Sequence, residues 1–236
     1  MIRTPDDLFL FQKLIMNRSA LLLLLWVIFL FGCSIQKDLP VEKDLQKAKN
    51  VILLIGDGMG IAQMSTPFYF SDSMPHFSRF NHIGLHKNEP TSHKITDSAA
   101  GATAFSTGYK TYNGAIAVDS DTVPLKTILE MASEHGQKTG VISTSSITHA
   151  TPASFFAHVK YRKMEEEIAE QLSKSSVDFI AGGGHKFFFD REDGQNLWPV
   201  LESNGFIIDT SEFLHPRVLD YELKYAFLPA YEAMPM

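Results

Sequence analysis

The sequence has 236 residues, 44% of them hydrophobic, and a formal net charge of −6. That length holds one sizeable domain or two small ones, and without clustered Lys and Arg the charge balance argues against a nucleic acid as partner. Cys33 is the only cysteine, which excludes an internal disulfide.

Leu21 to Phe31 is an unbroken apolar run behind Asn17-Arg18-Ser19. Even with Ala20 it is shorter than the ~20 residues of a spanning helix. It reads as the apolar region of a secretory signal after a short positive stretch. Leu30-Phe31-Gly32-Cys33 resembles a bacterial lipobox, in which the cysteine is lipidated and becomes the mature N-terminus. A plain membrane anchor with an incidental cysteine is the competing reading, and Met16 is an alternative start. Residues 34–48 are polar and charged and read as a tether. The expected organisation is therefore a signal over residues 1–33, a tether over 34–48 and a folded part over 49–236, with the protein secreted and lipid-anchored in the bacterial periplasm or at the cell surface.

Val51-Ile52-Leu53-Leu54-Ile55 has the composition of a strand buried on both faces of a parallel sheet. Gly56-Asp57-Gly58-Met59-Gly60 follows at once. In open α/β sheets ligands bind beyond the carboxyl ends of strands, so Asp57 stands where a metal or phosphate site is built; a simple turn is the ordinary reading. The run lacks the lysine of a P-loop, and its evenly spaced glycines fail the dinucleotide pattern. His76, His82, His86 and His93 have no zinc-pair spacing on a helix and read as surface or packing residues.

Thr96-Asp97-Ser98-Ala99-Ala100-Gly101-Ala102-Thr103-Ala104 predicts a helix with Ser98 at its start, where free N–H groups and the helix dipole favour an anion. Ser98 is either a cap or, once deprotonated, a nucleophile. Gly101 is expected to let another backbone approach. Asn113-Gly114 suits a tight turn. Pro124 to His135 reads as a helix ended by Gly136. Strands over Thr139–Ser143 and Val177–Ala181, with a helix over Met164–Ser173 between them, make an alternating α/β domain. Gly182-Gly183-Gly184 marks a turn or a close backbone approach. His149 and Thr151 lie just past a strand end, and threonine and aspartate oxygens suit magnesium. Arg162 can hold two phosphate oxygens at once. Singly, each also reads as an ordinary core, cap or surface residue.

Together, Gly-Asp-Gly-Met-Gly after a strand, Thr-Asp-Ser-Ala-Ala-Gly-Ala-Thr-Ala, and Thr-His-Ala-Thr-Pro-Ala followed by Ala-His-Val-Lys-Tyr-Arg-Lys resemble the alkaline phosphatase family in order and spacing, from about Lys49 to about Ala226. The resemblance implies a largely parallel sheet flanked by helices. It makes Asp57 a bridge between a zinc and a magnesium, Ser98 the zinc-bound nucleophile, Thr151 a magnesium ligand and Arg162 the phosphate clamp. His149 stands where some members have an aspartate near the magnesium site. The family's remaining zinc ligands and a magnesium-binding glutamate come from a second half of its sequence. Nothing after Arg162 matches them, and His185 and His215 are isolated. The resemblance is thus to the N-terminal portion, and the end at Met236 reads as an interruption.

The leading expectation is a zinc- and magnesium-dependent phosphate-monoester hydrolase acting through a phosphoserine at Ser98, with a homodimer left open. A phosphodiesterase or sulfatase of the same superfamily is one rival, although the Ser98 region lacks the Cys/Ser-x-Pro-x-Arg motif of a sulfatase. A non-catalytic phosphate-binding lipoprotein is the other. Asp57, Ser98 and Thr151 are expected to converge at one sheet edge, with Arg162 facing them.

Overall fold

The computed structural model describes residues 48–211 and 219–235. The signal, Cys33, nearly all of the tether and His215 lie outside the described residues. The chain divides into two units, residues 1–54 and residues 55–236.

In the first unit the expected strand does not form. Val51, Ile52 and Leu54 have no helix or strand assignment and are 82%, 85% and 81% exposed. A parallel strand exists only as a member of a ladder, and among the described residues this run has no ladder partner. Its apolar composition reports what it could bury, not a pairing it has.

The second unit is an α/β layer structure. Its helices are α1 (Ile61–Phe70), α2 (Ser98–Thr107), α3 (Ile128–Glu134), α4 (Ala150–Ala153), α5 (Glu165–Ser173), α6 (Lys186–Phe189) and α7 (Trp198–Ser203). The strands are β1 (Gly140–Ser146), β2 (Phe179–Gly183), β3 (Phe206–Asp209) and β4 (Lys224–Ala230), in the order β1-β2-β4-β3, and every neighbouring pair is parallel. The two read strands are present with shifted ends, whereas β3 and β4 carried no expectation. Among the described residues no helix is long and apolar enough to cross a membrane.

The local chemistry explains the elements. Three glutamates, Glu165 to Glu167, occupy the first turn of α5, where the helix dipole favours them. Ile168, Ala169 and Leu172 then fall on one face and are fully buried with Val177, Ile180, Ala226 and Leu228. Each fully buried Ile or Leu contributes about 1.5–3 kcal/mol. The helix read from Pro124 begins later. Thr127 caps α3 and exchanges hydrogen bonds with Glu130 in a capping box. Pro124 lies instead in an antiparallel bridge with Val118, a role its fixed φ allows. Gly136, at φ 71°, ends the helix as expected.

Two glycines separate close approach from mere permissiveness. A Cβ on Gly183 would stand 2.0 Å from the Glu232 carbonyl oxygen, so glycine here admits the backbone that leaves β4. A Cβ on Gly101 would meet only the Thr96 side chain, at 3.5 Å, an ordinary contact. No second backbone approaches Gly101, contrary to expectation, and the residue merely weakens α2. Gly101→Ala should therefore raise unfolding stability by about 0.5–1 kcal/mol. Denaturant unfolding tests this, and a destabilised variant would mean that Gly101 serves a contact after all.

Glu130 ties α3 to the rest of the unit. It accepts hydrogen bonds from the Thr127 amide (2.8 Å) and from His158 Nε2 (2.9 Å). Burial pushes its carboxyl up, but these hydrogen bonds outweigh it and hold the group below its ordinary value. A depressed carboxylate gives stability that is present above its unfolded-state pKa and lost as the pH falls through the folded one. The wild type should therefore lose stability relative to Glu130→Gln as the pH drops below 4.5. Thermal melts of both proteins across that range measure the difference. Parallel curves would show that Glu130 carries no linked protonation.

Candidate active site

The site is built where α2, α4 and the segment after Gly56 meet. Asp97 is the N-cap of α2, its Oδ1 accepting from the Ala100 amide at 2.9 Å. Since Asp97 does the capping, Ser98 is the first residue of α2 and its hydroxyl is free for other work. The Ser98 Oγ–H donates to Asp57 Oδ1 at 2.9 Å. The Thr151 Oγ1–H donates to the other oxygen, Oδ2, at 2.8 Å. One carboxylate thus joins two hydroxyls from two helices.

Asp57 reaches this place without the strand expected before it. It sits in a turn with Gly58 at φ 66°, a left-handed conformation that glycine adopts without strain. Thr151 is held by β1, which ends at Ser146 and leads directly into α4. Helix α4 packs on α2 through small groups. Ala99, Ala150 and Ala153 are buried together, and Ser154 Oγ donates to the Ala150 carbonyl at 2.8 Å. Ala99, Ala100 and Ala102 therefore serve close packing beneath the serine.

Arg162 approaches from the opposite strand of a short antiparallel pairing. Ile116 and Val159 form a bridge, and the Arg162 amide donates to the Gly114 carbonyl at 2.7 Å. The guanidinium is then held at two points: Nη1 donates to Asp97 Oδ2 at 3.2 Å, and Nη2 lies 3.0 Å from His149 Nε2. A guanidinium has only donors, so His149 Nε2 is the acceptor and the ring proton sits on Nδ1. His149, which stands where some members of the family have an aspartate, touches the arginine here.

The structure thus brings together all five singled-out residues, in two linked pairs of contacts rather than one cluster. Asp57, Ser98 and Thr151 form the first group, and Asp97, His149 and Arg162 the second. Asp97 and Ser98 are adjacent in the chain, which couples the two. Two contributors were not read from the sequence. Asp97 both caps the nucleophile's helix and anchors the arginine, and its signal was an aspartate immediately before a helix. Asn113 was read only as a turn residue. Its side chain accepts from the Asp97 amide at 3.0 Å and donates to the Ile95 carbonyl at 3.0 Å, bracing the approach to α2.

The donor set has a definite character. The two Asp57 oxygens and the hydroxyls of Ser98 and Thr151 are hard oxygen ligands, matching magnesium in kind. Zinc sites draw three or four ligands, mostly His, Cys and carboxylates. Among the described residues no group of three or more His, Cys, Asp and Glu could hold a metal ion. These residues fit part of a divalent-cation site and do not complete a zinc site. On the other side, the N-terminus of α2 and the Arg162 guanidinium together suit a dianion such as phosphate.

Comparison with known proteins agrees with this chemistry. The alkaline phosphatase family model matches residues 48–206. Alkaline phosphatase 3 of Bacillus subtilis is 44% identical over 173 residues, covering 67% of this chain and 37% of that protein. The alkaline phosphatase of the Antarctic bacterium TAB5 superposes with a TM-score of 0.71 at 46% identity, over 76% of this chain and 52% of that one. A histidine-to-aspartate variant of the TAB5 enzyme, with magnesium bound in its M3 site, gives the same TM-score, identity and coverage. The chain therefore spans about half or less of each of these relatives.

Proposed function

The chain belongs to the alkaline phosphatase family, and from that premise we propose that it carries the nucleophile and the phosphate clamp of a phosphate-monoester hydrolase. One observation carries the reading: Ser98 Oγ is held by Asp57 at the start of α2, while Asp97, next to it in the chain, fixes the Arg162 guanidinium. Arg162 and the free amides of α2 bind and orient the phosphoryl oxygens and neutralise their charge in the transition state. Ser98 Oγ gives up its proton to solvent and forms the new P–O bond, the ester P–O bond breaks, and the alcohol departs with a proton from solvent. Water then attacks phosphorus, its proton passing to the departing Ser98 Oγ, and inorganic phosphate is released. A divalent cation, magnesium or zinc, held in part by Asp57, Ser98 and Thr151 would supply the lowered hydroxyl pKa that a serine nucleophile needs.

The test is a chimera in which residues 48–235 of this chain replace the matched part of the TAB5 enzyme. It should hydrolyse a phosphate monoester, and Ser98→Ala should remove both turnover and a trapped phosphoserine. A folded, metal-loaded chimera with no turnover dependent on Ser98 would defeat the reading.

The proposed setting is the periplasm or cell surface, with the chain secreted, anchored through a lipid on Cys33 and assembled as a homodimer. The signal-like run before Cys33 supports the lipid anchor. Intact-mass analysis of membrane-extracted protein should show a mature chain beginning at a lipidated Cys33. An unmodified Cys33 behind a retained Leu21–Phe31 run would remove the anchor.

A further inference from the structure

The helix dipole accounts for acidic residues at Glu165, Glu166 and Glu167 alike, but not for what Glu165 touches. Its Oε2 accepts from the Thr148 hydroxyl at 2.7 Å and from the Ser146 hydroxyl at 3.1 Å. Glu166 instead takes the Glu192 amide, at 2.6 Å. Both Ser146 and Thr148 are buried, Thr148 completely, and their hydroxyls also hydrogen-bond each other. The Ser146 oxygen accepts in addition from the Thr148 amide at 3.2 Å. Each hydroxyl has one proton to give and a carboxylate has none, so this chain of donors ends on Glu165. A buried polar network stiffens the backbone that carries it when every member has its partner.

The turn held in this way leads straight into the candidate site. Ser146 ends β1, and α4 begins at Ala150. The His149 amide donates to the Ser146 carbonyl at 3.0 Å. His149 Nε2 then meets Arg162 at 3.0 Å, and Thr151, two residues on, donates to Asp57 at 2.8 Å. Glu165 reaches the same turn from the arginine's side. It lies three residues after Arg162, and the Met164 amide closes the intervening turn on the Tyr161 carbonyl at 3.0 Å. One carboxylate thus ties the segment that carries His149 to the segment that carries Arg162. We propose that Glu165 is a positioning residue for the phosphate clamp. By holding Thr148 and Ser146 it fixes where His149 stands, and His149 fixes one end of the Arg162 guanidinium. The proposal rests on the functional reading above for what Arg162 binds. A cluster that merely filled space under β1 would add stability and leave Arg162 untouched.

The test uses the full chain and three variants. Glu165→Ala removes the acceptor, Glu165→Gln keeps an acceptor oxygen, and Thr148→Val keeps the shape of Thr148 without its hydroxyl. Nitrogen NMR of the His149 ring in alkaline buffer reports whether Nε2 is held as an acceptor. Calorimetric titration with inorganic phosphate reports the clamp. The wild type and Glu165→Gln should show one His149 tautomer, with the proton on Nδ1. Glu165→Ala and Thr148→Val should show a mixture of both tautomers. They should also bind phosphate about tenfold more weakly, the scale of one lost hydrogen bond to a charged group. In a His149→Ala background the same substitutions should leave phosphate affinity unchanged, which a general loss of stability would not produce. An unmoved His149 tautomer in both Glu165→Ala and Thr148→Val would overturn the proposal. So would Glu165→Gln behaving as Glu165→Ala, or an undiminished affinity loss in the His149→Ala background. If Glu165→Ala does not fold, Thr148→Val decides. A wild-type chain that binds no phosphate would remove the clamp reading, and the ring spectra would still decide whether Glu165 positions His149. A chimera with Ser98-dependent turnover beside unmoved ring spectra would keep the hydrolase reading and remove this one.

Discussion

Asp57→Asn in the chimera should lower kcat/KM by about three orders of magnitude, while in the 236-residue chain by itself it should change unfolding stability by less than about 0.5 kcal/mol. The second expectation follows from exposure: Asp57 is at the surface, and surface substitutions outside the core seldom change stability by more than that amount. The first follows from position. Asp57 accepts from the Ser98 hydroxyl and also from Thr151. Asparagine preserves the shape but has one acceptor oxygen and no charge. Ser98 can still be held in place, but the negative charge that would anchor a cation beside it is gone. Losing that stabilisation is worth several kcal/mol, and about 4 kcal/mol corresponds to three orders of magnitude. Steady-state kinetics, with metal content measured on the same samples, decides the matter. Wild-type kcat/KM in Asp57→Asn would show that the Asp57–Ser98 contact is incidental.

What could be read in the sequence follows the range of the interactions involved. Helix α2 was legible because its alanines are a local signal, although its cap, Asp97, and its end at Gly108, at φ 78°, were not read. Helix α5 and the strands on either side of it were legible because burial imposes a period that the residues carry. Val51–Ile55 misled for the same reason, since its composition specifies a buried strand while the ladder that makes one depends on distant residues. β3 and β4 were missed. β4 contains Pro229, and proline discourages a strand assignment except at an edge or bulge; the backbone nonetheless pairs with β2 through a register shift near its end. The candidate site was legible only as a set of motifs. That Asp57, Ser98 and Thr151 meet is a long-range fact, 94 residues separating Asp57 from Thr151. No local pattern predicts that His149 turns to Arg162 rather than to the carboxylate; that choice follows from a guanidinium placed by the Ile116–Val159 bridge.

Assayed as it stands, the 236-residue chain should turn over phosphate monoesters several orders of magnitude more slowly than the chimera, even with zinc and magnesium supplied. Half of the chemistry is in place. The start of α2 and Arg162 can dock a phosphate, and Asp97 holds the guanidinium at 3.2 Å. The hydroxyl of Ser98, however, must lose its proton near neutral pH to attack phosphorus. Among the described residues the ring nitrogen hydrogen-bonded to Arg162 is His149 Nε2, which already accepts from it at 3.0 Å. Asp57, Ser98 and Thr151 offer oxygens for a cation, but no larger His, Cys, Asp and Glu group surrounds them among the described residues. A weakly held ion ionises little serine, and the lost activation is worth several kcal/mol at the transition state. The measurement is a metal-supplemented assay of the purified chain beside the chimera, each with its Ser98→Ala partner as background. Turnover by the chain alone at the rate of the chimera, lost on Ser98→Ala, would mean that these residues gather a working metal site by themselves.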